Sequence, residues 1–386
     1  MVQPSGKSVI LFLTFFLLTA SLQAKTEPKH PIWPVRGGLD KTPYRAQWVT
    51  FLKKGKLFKY KRKEFSSPYI FGDKLFVGSD SGFFYALNKK NGQKLWSYKG
   101  MAPINSTPAV LETKEGGRIF VGDDEGFLHA FNTETGQVLW HTDLGSEVAS
   151  APAINISRIF VSTMEGKIFA LSVEDGKIIW EREHTSQGSE MTIRGTSSPV
   201  LDESMGRLYV GFSDGTLIAF STDGKVIWEK SFASKKGFQD IDGTPLMDND
   251  HLFVSTYSHG VYAVSKKNAQ VLWSQDFGSA VRTLLVEDTL YVSGSDGHLY
   301  ALNKKDGSKR WDIKLGTAAL TAPIFYKETL AVGLSDSTMN FIRMSDGHLI
   351  AKRFAKKGIS SDPIMDENRI YYLSNGGRVY SLKMIH

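Results

Sequence analysis

In the stretch 118–140, RIFVGDDEGFLHAFNTETGQVLW, apolar and polar residues alternate over short runs that break at turn residues rich in Asp and Gly. Alternation of period two between such breaks predicts strands joined as hairpins, not helices. The pattern recurs at 74–96, 158–180 and 289–311, and more weakly at 207–228 and 251–273. A run such as STPAV or SAPAI precedes each copy, which completes four antiparallel strands, here named a to d. A period near 40 to 45 residues is the spacing of propeller blades. One such sheet cannot bury both of its faces, whereas a ring of them can.

The blades can be counted. Leads SSPYI, STPAV, SAPAI, SSPVL, GTPLM, RTLLV and TAPIF open seven, and Trp96, Trp140, Trp180, Trp228, Trp273 and Trp311 mark strand d in six of them. In the seventh, Ala351 takes that place. The C-terminal SSDPIM, RIYYLS and RVYSLK supply strands a, b and c of an eighth blade, and the chain stops. GKLFKYKRK (55–63), just before the first SSP, is the expected missing strand d. The fold class is therefore all-β: an eight-bladed propeller of four-stranded antiparallel blades, closed by an N-terminal strand joining the C-terminal blade, which removes two exposed sheet edges. The expected division is a signal peptide at 1–24, an N-terminal extension at 25–54 and a single propeller domain at 55–386.

The connections between blades are not uniform. From the Trp position to the proline opening the next blade there are 12 positions for Trp96–Pro108, Trp140–Pro152, Trp311–Pro323 and Ala351–Pro363, but 19 for Trp180–Pro199 and 17 for Trp228–Pro245. All d-to-a connections emerge on one face of the ring, so these two insertions are neighbours. The first contains EMTIRGTSSP with Met191, Ile193 and Arg194, and the second contains KGFQDIDGTP with Asp240, Ile241 and Asp242. Loops on a rigid scaffold commonly carry binding, and apolar residues beside an arginine suit a protein partner. The alternative is internal: Ile193 and Ile241 plug their blades while Arg194 pairs with Asp240 or Asp242.

Composition narrows the functions available. The chain holds no cysteine, which excludes a disulfide, a thiolate metal site, a catalytic thiol and a lipid-modified cysteine. Lys7, the apolar run 9–18 and the small residues up to Ala24 read as a secretory signal peptide, too short to span a bilayer. The net charge is +7, with seven basic residues crowded into 53–63. A solvated outer strand that resists edge pairing accounts for them, and attraction to anionic headgroups is the functional counterpart. Nucleic acid does not suit an exported chain. The carboxylates of GDDEG (Asp123, Asp124, Glu125) fall at a hairpin break and read as turn chemistry. The nine histidines form no ligand pair, and no nucleophile elbow or phosphate-cradling loop appears. No catalytic residue, metal or cofactor is expected.

Repeats like FNTETGQVLW are similar to those of quinoprotein-type propellers, some of which are dehydrogenases using pyrroloquinoline quinone and calcium. Those enzymes are much longer, and many carry adjacent cysteines that this chain lacks. Nearly the whole mature chain more closely resembles the BamB family of outer-membrane assembly factors. MTIRGTSSP is similar to that family's Leu-x-Leu-Arg-Gly-x-Ser-x-Pro segment, and QDIDGTP to its Ser-Asp-Val-Asp-x-Thr-Pro segment. The resemblance implies a non-catalytic periplasmic scaffold, held at the outer membrane through its partners. The implied partner is the POTRA region of a BamA-like insertase, with unfolded outer-membrane protein clients and the membrane surface as further contacts. It makes Met191, Ile193 and Arg194 the apolar and cationic anchors, and Asp240 and Asp242 acidic partners or braces for the arginine. The family's usual lipoprotein cysteine has no counterpart here.

Overall fold

The computed structural model describes residues 42–52, 63–114, 116–185, 197–232, 238–258 and 260–385. Within the compact unit Gly38–His386 they form eight separate four-stranded antiparallel sheets. Blade 1 shows the design. Its strands b and c, Lys74–Gly78 and Phe83–Asn88, are buried almost throughout, while strand d, Lys94–Lys99, alternates exposed and half-buried residues. Strands a of neighbouring blades touch and so lie nearest the axis.

The core lies between blades rather than within them. Phe76, Phe84 and Ala86 of blade 1 pack on Ile119, Val121 and Phe131 of blade 2. On its other side, Leu75, Val77, Tyr85 and Leu87 pack on Tyr371, Leu373 and Val379 of blade 8. Each large buried side chain contributes about 1.5–3 kcal/mol, and only a neighbouring blade can supply the surface that buries it.

A repeated contact fixes that neighbour. The indole N–H of Trp96 donates to the Thr133 carbonyl at 3.0 Å, that of Trp140 to Val173 at 3.2 Å and that of Trp180 to Thr222 at 2.9 Å. Trp228, Trp273 and Trp311 repeat the bond to Lys266, Lys304 and Met344. Each acceptor lies in the c-to-d turn of the next blade, against which the ring also packs. A Cβ on Gly136 of that turn, whose φ is +71°, would lie 2.5 Å from Trp96 Cδ2. Glycine there meets both the left-handed backbone and the close approach of the indole.

The closing strand is Tyr44–Phe51, which pairs antiparallel with Arg378–Met384 and completes blade 8. This corrects the expectation of 55–63. Most of that segment lies outside the described residues, and blade 8 already has its fourth strand, so the propeller begins within the stretch expected to be an N-terminal extension. Trp48 carries the register: its indole donates to Lys89 O at 3.2 Å and covers Gly92 of blade 1. Measured by the same rule, Trp48 to Pro68 is 20 positions, a third oversized connection.

Ala351 now has a physical reason. Blade 8 takes strands c and d from opposite ends of the chain and therefore has no c-to-d hairpin for a tryptophan of blade 7 to dock on. The space is filled differently. Tyr44 stacks on Phe341 at 4.6 Å, and the Arg353 guanidinium lies over the Tyr44 and Tyr380 rings at 5.6 and 5.7 Å.

Blade 5 departs from the glycine rule, with Ala269 at φ +57° in the corresponding turn. Ala269→Gly is expected to stabilise the protein by about 1 kcal/mol by relieving that conformation, and Trp48→Ala to cost about 3 kcal/mol or more. Equilibrium urea unfolding of both variants measures the two shifts, and an Ala269→Gly protein less stable than wild type contradicts the strain argument.

Candidate partner-binding surface

Antiparallel order places the d-to-a connections and b-to-c hairpins together on one face of the ring, and the a-to-b and c-to-d turns on the other. A common frame underlies the first face. Ser66, Ser106 and Ser197, each two residues before a blade's proline, accept the N–H of Gly78, Gly122 and Gly211 at 2.9, 2.8 and 2.8 Å. Over each glycine sits an apolar plug four residues before the next proline: Ile104, Val148 and Ile241. A Cβ on Gly211 would lie 2.2 Å from Ile241 Cγ2.

Ile241 is therefore an ordinary member of the frame, with 0% exposure and its N–H on Phe212 O at 3.1 Å. The internal reading holds for this residue. Asp240 precedes it, and its carbonyl accepts the Tyr257 N–H at 2.9 Å, as the Glu147 carbonyl accepts the Met164 N–H at 3.0 Å. The Asp240 side chain is also 0% exposed, whereas Asp242 is half-buried. The second insertion thus lies upstream of Asp240, where Phe238 packs edge-on against Tyr257 at 6.0 Å. Met191, Ile193 and Arg194 fall outside the described residues.

A carboxylate withdrawn from water needs an opposite charge and hydrogen bonds around it. Asp240 accordingly lies within the surface rather than on it. Asp242, which retains exposure, stands nearer solvent.

The root of the first insertion holds a pair the sequence reading missed. His184, four residues after Trp180, donates its N–H to nothing unusual, bonding Gly166 O at 3.1 Å. Its ring is what differs: Nε2 lies 2.9 Å from Asp214 Oδ2 on the next blade, and the imidazole covers Phe212 at 4.3 Å. The corresponding residues on the other blades are Leu52, Gly100, Leu144, Phe232, Phe277, Leu315 and Ala355. A histidine in that apolar series was the available signal. Because Phe212 also accepts Ile241's N–H, this pair and the second insertion share one support.

The hydrogen bond that the imidazole donates to Asp214 raises the His184 pKa above its ordinary value, with burial opposing it. Burial pushes the Asp214 carboxyl upward, but the hydrogen bonds from His184 and Thr216 outweigh it and hold the group below its usual range. Among the described residues, no group of three or more His, Asp or Glu is placed to hold a metal ion.

Comparisons with known proteins agree with this architecture. A family profile described as outer membrane protein assembly factor BamB matches residues 112–313 and 243–385. The chain is 24% identical over 202 residues to outer membrane protein assembly factor BamB of Escherichia coli, covering 50% of this chain and 51% of that one. It therefore spans about half the length of that relative. The Shewanella oneidensis protein of the same description is 25% identical over 322 residues, covering 80% and 68%. The crystal structure of BamB from Moraxella catarrhalis superposes with a TM-score of 0.76 at 21% identity, covering 88% of this chain and 99% of that one. A quinohemoprotein alcohol dehydrogenase from Pseudomonas putida shares the fold, with a TM-score of 0.71 at 12% identity over 89% of this chain and 76% of that one.

A folded-state His184 pKa above the unfolded value gives stability that is complete below the unfolded pKa and is lost as pH rises through the folded one. Thermal melts from pH 5.5 to 8.5, about the range in which an imidazole titrates, should show Asp214→Asn most destabilised at the acid end and the gap to wild type closing toward the alkaline end. A gap that widens with pH contradicts the pairing.

Proposed function

Because the chain belongs to the family of outer membrane protein assembly factor BamB, we propose that it is a periplasmic scaffold of the outer-membrane β-barrel assembly machinery that binds the POTRA region of a BamA-like insertase. The observation that carries this reading is the juxtaposition of two oversized connections on adjacent blades, the second fixed to the ring by the buried Ile241 and Asp240. Arg194 and Asp240 each stand five residues before a blade-opening proline, at Pro199 and Pro245, and so hold equivalent places on neighbouring blades. In this reading Asp240 braces the arginine from within and Asp242 supports it nearer solvent. Met191 and Ile193 add apolar contact, giving the combination of an arginine with desolvated apolar neighbours that carries most binding energy in protein interfaces.

The action is organisational. Holding a multidomain insertase in one arrangement lowers the ordering cost of assembly, and the scaffold makes and breaks no bond. Unfolded outer-membrane protein clients are its second class of partner. A shared propeller fold does not carry over the chemistry of the quinohemoprotein dehydrogenases, since chemistry resides in sites and not in folds. Adding pyrroloquinoline quinone and calcium to the protein is expected to give no saturable change in absorbance.

In this reading Arg194→Glu sets a negative charge against Asp240 and Asp242, and it is expected to abolish co-purification with the insertase, a loss of at least about a hundredfold in affinity. The ring should remain folded by circular dichroism, because the substitution lies in a connection. Full recovery of the complex by this variant removes Arg194 from the interface.

A further inference from the structure

The oversized connection that follows Trp48 joins blades 8 and 1, diametrically across the ring from the one joining blades 4 and 5. All three oversized connections arise on the same face. We propose that the sector of this face over blades 7, 8 and 1 is a second docking surface, and that its partner is the anionic headgroup layer of a lipid membrane.

Charge on the face is divided. On blades 2 and 3 its exposed residues include Glu125, Asp143 and Glu165. Over blades 7, 8 and 1 the exposed charges are mainly lysines: Lys356 and Lys357 between blades 7 and 8, Lys63 before blade 1, and Lys99 at the end of its strand d. Asp336 is the exposed carboxylate there, while Glu64 and Asp80 are half-buried and joined through the Asp80 N–H at 2.8 Å. Asn375 ties the sector together, donating to the Lys357 carbonyl at 3.2 Å and accepting the Glu64 N–H at 3.1 Å.

Large apolar side chains stand out among these lysines. Met101 is 93% exposed, Phe354 73% and Phe51 46%. Phe354 and Phe51 end strand d of blades 7 and 8, and Met101 follows strand d of blade 1, so each points from the rim of a successive blade. The Arg378 guanidinium lies 4.6 Å from the Phe51 ring centroid. Separate apolar groups do not make the continuous core of a protein interface. Spaced along a basic rim, they suit a fluid surface into which each inserts alone while the lysines meet anionic headgroups. Contact here leaves the connections of blades 3, 4 and 5 free on the opposite side of the ring. The inference does not depend on the insertase reading.

Flotation of the full chain tests it, using vesicles of phosphatidylcholine alone and of phosphatidylcholine with about one third phosphatidylglycerol. The apolar run 9–18 is common to every variant and both vesicles, so the readout is the difference between them. Wild type should favour the anionic vesicles and lose that preference in high salt. Lys356→Glu with Lys357→Glu should lower anionic partitioning roughly twentyfold or more, and Phe354→Ser about tenfold, with melting temperatures unchanged. Equal binding to both vesicles, or variants that bind like wild type, overturns the proposal. So does capture by poly-glutamate without vesicle binding, which assigns the surface to an acidic protein instead.

Discussion

A four-stranded sheet with two apolar faces and no helix to cover them is stable only between two others like it. Every other feature of this chain answers to that constraint. It places the core between blades and makes the tryptophan of one blade dock on the turn of the next. It also favours glycine in those turns, where the indole lies at the place of a Cβ, with Ala269 of blade 5 the departure. The exception follows from the same logic: Ala351 faces a blade that lacks the hairpin a tryptophan would need. Tyr44, Phe341 and Arg353 restore the packing at that seam with different chemistry.

The loop face shows how binding sequence can be added without loosening such a ring. The plugs Ile104, Val148 and Ile241 stand four residues before a proline, downstream of any added residues, so an insertion placed upstream leaves their seat on the preceding blade intact. Ile241 remains a plug in a connection that is five residues longer than the common length of 12. The same arrangement lets His184 and Asp214 replace an apolar contact at the root of the neighbouring insertion, where they brace Phe212 from the side. Much of what differs from blade to blade on this face is therefore charge and length, carried on a shared backbone frame.

The blade count, the strand pattern and the two adjacent insertions were legible in the sequence because period-two alternation, turn glycines and tryptophans repeat together. The closing strand was not, because proximity to the first SSP outweighed register. Trp48 lies 48 positions before Trp96, the same interval that separates Trp180 from Trp228, and that interval marks Tyr44–Phe51 as strand d. The burial of Asp240 was also hidden. Spacing assigns a residue to a connection, but only the folded chain, in which Asp240 is 0% exposed, shows that the carboxylate is withdrawn from water. His184 escaped notice because a lone histidine has no motif, and its meaning depends on what the other blades hold at that place.

Pairing Tyr44–Phe51 with Arg378–Met384 joins nearly the two ends of the chain in one sheet. Made in an unfolded chain, such a contact would close a loop of over 300 residues at an entropic cost of about 5 kcal/mol. Winding seven blades into a ring brings the two ends side by side and removes most of that cost, so closure belongs at the end of folding. Tyr44–Phe51, the first strand among the described residues, is then the last to find its place, and its apolar side chains remain in need of cover until Arg378–Met384 has been made. The closing joint is the pairing of greatest sequence separation in the ring, and pairings of that kind are the slow ones to form.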